Sequence, residues 1–450
     1  MLRRLALCAA FALVGAGRAR AQNGEPFYYS DDASMTAGAV TASSQDGGSV
    51  WYNPAGLGAI HRSQVDLSGS TYGLRLRSID GLINTTLPGD AARIDVSSAD
   101  LVTAPNALSF VRAVSRRVTL ALGVFITGRD VRSISRTVEQ AAVAPDGTTS
   151  DYRQRVDGTL DSSTYHAGPA IGIEITPRLR LGLAAFVSYS TQSTFFQWLL
   201  DDTARSSTKA SEGFVVAQTR NVLRTLGGMV TLGLQGEVAR GWTLGLLVRS
   251  PEVLFASWLD GAEVVGTGST ETGTAGNSKF TIVPLSGDSR VEQVAPARLV
   301  LGVSRAFGPS WVGLDVELLA PLRNDNRGID QQFSVNARLG GRWQVSPRVA
   351  LGAGVFTDLA NHALSEVFTA ERVDYFGATL GLQLRTPVAL VRDPRPDALV
   401  LVTTLSVRYA LGIGEVRGVN LDADTGAETP RTVSVVYQEI VPYLGSSLLF

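Results

Sequence analysis

Charged side chains alternate with apolar ones in many short segments of this 450-residue chain. A guanidinium group can bind a carboxylate in paired, charge-assisted hydrogen bonds. An arginine that faces lipid near the middle of a bilayer costs about 2–4 kcal/mol, so in a membrane protein these residues must face an interior. The alternating charged positions are Glu174, Arg180, Arg249, Arg298, Asp315, Glu317, Arg338, Arg342, Arg385 and Arg408. We interpret this set chiefly as structural ion pairs. The alternative is that an arginine such as Arg249 or Arg298 binds the carboxylate of a ligand.

Two clusters of aromatic residues continue beyond the alternating segments. Phe195, Phe196 and Trp198 form the first cluster, and Phe255 and Trp258 form the second. Large apolar side chains that lie outside a regular core pattern mark a binding site or a membrane contact. Two interpretations are open for these residues: they capture a hydrophobic ligand, or they belong to an interfacial belt of aromatic side chains.

No other motif supports catalysis, metal binding or nucleic-acid binding. His61, His166 and His362 are the three histidines, and no partner motif completes a catalytic triad around any of them. The one cysteine, Cys8, allows neither a disulfide within the chain nor a thiolate metal site. A formal net charge of −1 gives no basic surface for nucleic acid. We therefore expect no enzyme, no cofactor and no bound metal.

The elements that must position these side chains are β-strands. Apolar residues recur at every second position, as in Leu120, Leu122 and Val124, and this period of two is the strand signature. The alternating segments reach about 9–11 residues, the length that a tilted strand needs to cross hydrocarbon. They are joined by tight turns at residues 115–117, 176–178, 239–241, 308–309 and 346–347.

The connections on the other side are long and polar, and they predict outer loops. These segments span residues 78–103, 128–160, 201–213, 252–278 and 417–430. Short turns on one side and long loops on the other are typical of outer-membrane barrels, and Trp242, Trp311 and Trp343 stand beside three of the tight turns, where an aromatic girdle is expected. The sequence therefore predicts an all-β fold, a transmembrane antiparallel β-barrel of about 14 strands. The barrel must close because lipid cannot satisfy an open sheet edge.

The N-terminal region divides into two parts. Residues 1–21 have the basic start, the short apolar core and the small-x-small end of a signal peptide. Residues 22–61 are polar and rich in small residues and lack strand alternation, so we expect them to fold into the lumen as a plug. Residues 62–450 then form the barrel. The final residue, Phe450, resembles the terminal aromatic of outer-membrane proteins, which implies recognition by the barrel-assembly machinery.

The plug region carries a family resemblance. The stretch Gly38-Ala39-Val40-Thr41-Ala42, then Asp46, then Ser49-Val50-Trp51-Tyr52-Asn53-Pro54-Ala55-Gly56-Leu57, resembles the N-terminal hatch of the FadL/TodX family of outer-membrane channels for long-chain fatty acids and other hydrophobic molecules. The resemblance implies that Asp46, Asn53, Pro54, Ala55 and Gly56 act in the hatch.

The resemblance also implies a mechanism and a location. Substrate is captured at the outer surface, enters an apolar pocket and leaves sideways after the hatch moves, without a cofactor or an energy source. The implied location is the outer membrane of a Gram-negative bacterium, in contact with its lipid and lipopolysaccharide.

Three alternatives from other classes are open. A general diffusion porin would need an open polar lumen without a hatch. A lipase-type barrel would need a serine and a histidine next to each other on its outer strands. A hatch-barrel could also serve as a scaffold for the export of surface proteins.

Overall fold

The computed structural model describes residues 27–87, 90–143, 147–205, 210–271, 276–286, 291–365, 370–388, 399–422 and 428–450. The expected signal peptide, residues 1–21, lies outside the described residues. Within the described ranges, helical structure is confined to two short α-helices, α1 (Asp31–Met35) and α2 (Ser49–Tyr52), and to 3-10 turns at Pro54–Ala59 and Asp325–Arg327. Among the described residues, no helix has the length and apolar character needed to cross a bilayer.

Nearly all the rest of the described chain is β-structure. The strands are β1 Gln64–Leu87, β2 Asp90–Ala113, β3 Val118–Val143, β4 Thr149–Thr176, β5 Leu179–Arg205, β6 Ala210–Ala239, β7 Trp242–Arg249, β8 Glu252–Glu271, β9 Asn277–Ser286, β10 Glu292–Ala295, β11 Arg298–Phe307, β12 Ser310–Leu319, β13 Leu322–Asn324, β14 Ile329–Gln331, β15 Ser334–Ser346, β16 Val349–Asp358, β17 Glu371–Val388, β18 Leu399–Asp422 and β19 Glu428–Leu449.

Seventeen of the described strands form one closed sheet, antiparallel except for a short parallel ladder between β1 and β18, and β13 and β14 form a separate hairpin. Neighbours in sequence pair around the wall, and β1 closes it because it pairs with β2 on one side and with β19 on the other. Two short breaks that contain proline divide otherwise continuous strands, which raises the number of strands. Ser250-Pro251 separates β7 from β8, both of which pair with β6, and Pro296-Ala297 separates β10 from β11. Proline has no N–H for the ladder, so the strand is broken there.

The five predicted tight turns are where the sequence places them. Strands end and begin on either side of each turn, for example at Thr176 and Leu179. Gly241 and Gly308 adopt φ values of 76° and 65°, which a residue with a Cβ rarely adopts. The ladder between Gln64 and Leu449 brings the start of β1 and the end of β19 to this same end of the barrel.

The predicted long outer loops are mostly strand, which corrects the sequence interpretation. Residues 78–103 belong largely to β1 and β2, and residues 128–160 belong largely to β3 and β4. The physical reason is an inversion of side-chain polarity along the strands. On the half of β4 nearest the tight turn, Tyr165, Ile173 and Ile175 are exposed on the outer face. On the half farther from the turn, which precedes residue 164 in the sequence, Asp151 and Arg153 are exposed instead. A strand whose outward side chains are polar lacks the apolar alternation from which strands were predicted.

Candidate functional site

The lower lumen, at the tight-turn end, is filled by residues 27–60, here called the N-terminal segment. Its apolar side chains are buried: Tyr29, Val40 and Leu57 are at most 2% exposed, and Trp51 is 3% exposed. They lie in one buried cluster with Val111, Phe125 and Phe186 of the barrel wall. The segment is therefore packed as an interior element and not as a peripheral tail.

Asn53 fixes the centre of this segment. Its Oδ1 caps the following 3-10 turn by accepting from the Ala55 backbone N–H at 3.1 Å. Its Nδ2 donates to the carbonyl oxygen of Thr41 at 2.8 Å, and to those of Leu234 and Leu246 on β6 and β7 at 3.2 and 3.4 Å. One buried amide thus ties two parts of the segment to two neighbouring wall strands.

Pro54, Ala55 and Gly56 complete the turn against the wall. Pro54 is at the first turn of the 3-10 helix, where its missing N–H leaves no bond unmade. Ala55 and Gly56 are buried. A Cβ on Gly56 would overlap with Ser44 of the same segment, so the turn can close only around glycine.

Wall glycines let the backbone of the segment approach the strands, a feature that the sequence interpretation missed. A Cβ on Gly182 would overlap with Pro54, and a Cβ on Gly233 would overlap with the Asn53 amide. The same holds for Gly245 against Thr41. The other wall glycines in such contacts include Gly172, Gly302, Gly313, Gly340, Gly352, Gly354, Gly381 and Gly445. Their sequence signal is glycine at strand positions that alternate with outward apolar residues.

Inward polar side chains hold the segment around its perimeter. Thr119 of β3 donates to the Ile60 carbonyl at 2.9 Å, and Gln235 of β6 donates to the Thr41 carbonyl at 3.1 Å. Asp315 of β12 accepts from the Thr41 N–H at 2.9 Å, and Thr379 of β17 donates to the Met35 carbonyl at 2.8 Å. These bonds come from four sides, so they fix both the height and the rotation of the segment.

The segment carries two buried carboxyl groups. Asp46 accepts from the Gly48 N–H at 3.0 Å, and burial together with nearby Asp32 raises its pKa well above the usual value. Asp31 accepts from the hydroxyls of Tyr443 and Ser447 on β19 at 3.2 and 3.1 Å. Burial, and next the negative charge of Asp66, raise the pKa of Asp31 to about 7. Both groups thus favour the neutral form when the segment is docked.

An aromatic cluster covers one side of the segment. Trp51 lies at the centre, with ring centroids 5.4 Å from Tyr29, 5.4 Å from Phe125 and 5.5 Å from Phe186. Arg249 lies over the Trp51 ring at 4.0 Å and donates to the Trp51 carbonyl at 2.8 Å. The cluster joins the segment to β3, β5 and β7.

The wall opens beside this aromatic cluster. The pairing between β2 and β3 extends from the pair Ala113–Thr119 to the pair Ala107–Phe125, and the described residues contain no further pair between these two strands. Above that point β2 continues to pair with β1, and β3 continues to pair with β4. The two strands are therefore unpaired above Phe125, where the Arg136 side chain of β3 still donates to the Asp95 carbonyl of β2 at 3.3 Å. This unpaired stretch is here called the gap.

Above the N-terminal segment lies a group of paired charges, here called the charged layer. It comprises Arg75, Arg77, Asp130, Arg132, Glu371, Arg408 and Glu439. Asp130 accepts from Arg75 and Arg77 at 3.1 and 3.0 Å, and Arg132 bridges Asp130 and Glu371, each at 2.7 Å. These groups are mostly buried, so they neutralise one another inside the barrel.

The outermost lumen is apolar. The cluster, here called the outer apolar cluster, comprises Ile79, Leu82, Ile83, Val156, Trp198, Leu200, Val215, Ala217, Val373, Val416, Val433, Val435 and Tyr437. The order of residues along β19 gives the height of this cluster. Val433 and Val435 of the cluster come first, Glu439 of the charged layer comes next, and Tyr443, which contacts the N-terminal segment, comes last. The lumen therefore has an apolar outer zone, a charged middle and a lower end filled by the N-terminal segment.

The residues predicted to bind ligand fall in different places. Trp198 is 5% exposed within the outer apolar cluster, and Phe196 packs against that cluster. Phe195 is half-buried on the opposite face of β5. Phe255 and Trp258 are 53% and 51% exposed on β8. The two aromatic clusters of the sequence are thus split between the inside and the outside of the barrel.

Both predicted arginines have protein partners. Arg249 contacts Trp51 as described above, and Arg298 forms an ion pair with Glu317 at 2.8 Å. Glu317 also binds Arg338 at 3.0 Å. Most of the other alternating charges are buried or half-buried in the lumen, while Arg385 is exposed at the tight-turn end. The arrangement is that of a structural ion-pair wall.

Comparison with known proteins gives structural matches only. No family model and no curated protein matches the sequence. A FadL homologue from Pseudomonas aeruginosa superposes with a TM-score of 0.54 at 12% identity, covering 95% of this chain and 99% of that one. The toluene transporter TodX from P. putida gives a TM-score of 0.55 at 12% identity, covering 94% and 98%. The monoaromatic hydrocarbon channel CymD gives 0.50 at 12% identity, covering 94% and 97%. Over nearly its whole length, this chain has the fold of the FadL/TodX-type outer-membrane channels.

Proposed function

We propose that this protein is an outer-membrane channel through which hydrophobic molecules enter by passive diffusion. The carrying observation is the combination of a closed barrel that has this fold with a plugged lower lumen and a gap in its wall. The apolar outer belt, with residues such as Leu122 and Leu183 at 55% and 43% exposure, suits burial in lipid. The fold is shared with a FadL homologue, a toluene transporter and a hydrocarbon channel, which supports hydrophobic substrates such as fatty acids or hydrocarbons.

The proposed location is the outer membrane of a Gram-negative bacterium, in contact with lipid and lipopolysaccharide. Residues 1–21 would be removed as a signal peptide, residues 22–61 would form the hatch and residues 62–450 the barrel. We count about 14 crossings by taking β7 with β8 as one and β9 to β11 as another. Phe450 would engage the barrel-assembly machinery, and its N–H bonds to Ser63 at 2.9 Å, next to the start of β1.

The proposed gate is the N-terminal segment, with Asp46, Asn53, Pro54, Ala55 and Gly56 as its hinge and anchor. Asn53 is the anchor because its amide contacts both the segment and the wall. Release of that amide would let the segment shift at the aromatic cluster, which adjoins the gap between β2 and β3. A hydrophobic molecule could then pass into the bilayer through the gap, without crossing the polar lower lumen.

The charged layer supports sideways exit over straight passage. A hydrophobic molecule that crossed the lumen axially would have to pass buried ion pairs, and it could offer them no compensating hydrogen bond. The gap begins at Phe125, whose ring contacts Trp51 and Phe186. These apolar rings support the proposal that the molecule leaves at that height once the segment has shifted.

Uptake by reconstituted protein tests the proposal. Liposomes with lipopolysaccharide in the outer leaflet that carry the full chain should take up toluene or oleate faster than the same liposomes without protein, and they should exclude sugars in a swelling assay. Sugar permeation through the intact protein would favour a general diffusion porin. No acceleration for either class of solute would leave the scaffold for surface-protein export as the better explanation.

A further inference from the structure

The outer apolar cluster is filled in part by a bulge of β1, residues 79–83. Between Ile79 and Ile83, β1 has three residues where β2 has one, so the extra residues leave the ladder. Gly81 adopts a φ of 66°, and its N–H donates to Asp95 at 2.6 Å. The bulge is thus built by a left-handed glycine and a local side-chain bond.

The bulge reaches into the lumen. Leu82 and Ile83 are 1% and 3% exposed, whereas Leu76, earlier on the same strand, is 40% exposed on the outer face. After the bulge, Ile83 to Thr86 pair in parallel with Val419 to Asp422 of β18, which lies beyond β19 in the wall. A Cβ on Gly418 would lie 2.5 Å from the Leu82 carbonyl, so glycine permits this approach.

The surroundings of the bulge are suited to an apolar guest. Trp198, Leu200 and Val215 are at most 5% exposed and face the interior from β5 and β6. Paired charges close the space below, as the order Arg75, Arg77, Ile79 along β1 shows. An uncharged apolar molecule would replace the contacts of Leu82 and Ile83 with contacts of the same kind, and a polar one would not.

We propose that the β1 bulge is an internal competitor for the ligand site in the outer apolar cluster, so that the channel has a second plug above the N-terminal segment. This inference rests on the proposed function and adds a mode of regulation to it. An uncharged apolar ligand binds by displacing residues 79–83, and its apparent affinity is lowered by the fraction of molecules in which the bulge is docked.

A reversible crosslink tests this competition. Asn84 and Asn420 are paired neighbours on β1 and β18, so cysteines at both positions are within reach of a disulfide. The probe is an uncharged alkyl diazirine, photolysed on the full chain in detergent, with labelling of the Trp198 and Val215 peptides measured by mass spectrometry. We expect oxidation of Asn84→Cys/Asn420→Cys to lower this labelling about tenfold and reduction to restore it.

A second variant separates a plug from a permanent core. Leu82→Ser should raise the labelling several-fold because the competitor is weakened, whereas Leu76→Ser on the outer face should not change it. Equal labelling of the oxidised and reduced crosslink variant, or a fall in labelling with Leu82→Ser, would overturn the inference. If the inference is overturned but liposomes that carry the wild-type protein still take up toluene, the proposed function stands. If they do not take up toluene, the inference and the proposed function are both rejected.

Discussion

Replacement of Asn53 by aspartate should undock the N-terminal segment while leaving the barrel intact. Asn53→Asp keeps the size of the side chain and the Oδ1 that caps Ala55, but at neutral pH it loses both amide protons. The carboxylate then faces the carbonyl oxygens of Thr41, Leu234 and Leu246 without a donor between them. The change removes one hydrogen bond within the segment, to Thr41, and two to the wall, to Leu234 and Leu246.

The magnitude follows from the number of bonds. Three acceptors share the two amide protons, so two hydrogen bonds at about 1 kcal/mol each are lost; with a penalty of about 1–3 kcal/mol for the uncompensated buried group, the loss of docking free energy is at least about 3 kcal/mol. This corresponds to an undocked population that is larger by about two powers of ten. The wall ladders are made by the backbone, so the barrel should keep its resistance to heat and detergent.

Hydrogen exchange of the intact protein in detergent provides the measurement. Amides of residues 31–60 should exchange about a hundredfold faster in Asn53→Asp, while amides of β4 and β5 should be unchanged. Asn277→Asp, an exposed residue at the start of β9, is the matched control. Unchanged protection of residues 31–60 would refute the assignment of Asn53 as the anchor of the segment.

Three further outcomes are expected. Gly233→Ala should undock the segment because the added Cβ would overlap with Asn53, and proteolysis near residue 53 should measure this. Gly236→Ala is the control and should leave the segment docked, because the nearest contact of its added Cβ would be at 3.7 Å. The docked state should weaken as pH rises: the pKa of Asp31 is raised to about 7 from the usual 3.8, so its stabilising contribution is complete below about pH 4 and is lost as pH passes through 7. Hydrogen exchange at pH 5 and pH 9 should show this, and a dependence that persists unchanged in Asp31→Asn would contradict it. Leu122→Arg on the outer face of β3 should cost about 2–4 kcal/mol in unfolding from lipid, whereas Thr137→Arg above the polarity inversion should cost little, and equal losses would refute the assigned lipid belt.

The alternation of apolar residues was sufficient to predict the lower barrel. Leu120, Leu122 and Val124 lie on the outer face as predicted, because contact with an apolar medium is a property of each side chain at a period of two. The upper strands were missed for a related reason. Residues such as Asp151 and Arg153 are outward and polar there, and the inward Val156 and Leu160 were too sparse to signal a strand.

The site was only partly readable from sequence. The stretch around Asn53 lies in a segment that is buried inside the barrel, but the contacts of its amide depend on two strands about 180–190 residues away. The inward glycines carry no chemical group, so no search for reactive side chains could find them. The β1 bulge depends on a register difference between two strands, and register is set by tertiary pairing.

The polarity inversion on β4 has a consequence for how deep the protein sits. From Ile175 to Tyr165 the strand advances ten residue steps, or about 34 Å, which at a tilt of about 40° is a height of about 26 Å. This matches the apolar thickness of roughly 25 Å that outer-membrane barrels present to lipid. Tyr165 and Tyr189, with ring centroids 6.5 Å apart, stand at its upper edge. In the proposed outer membrane, the part of the wall above Tyr165, with the outer apolar cluster inside it, would therefore extend among the sugars of the cell surface and offer an apolar interior to hydrophobic molecules.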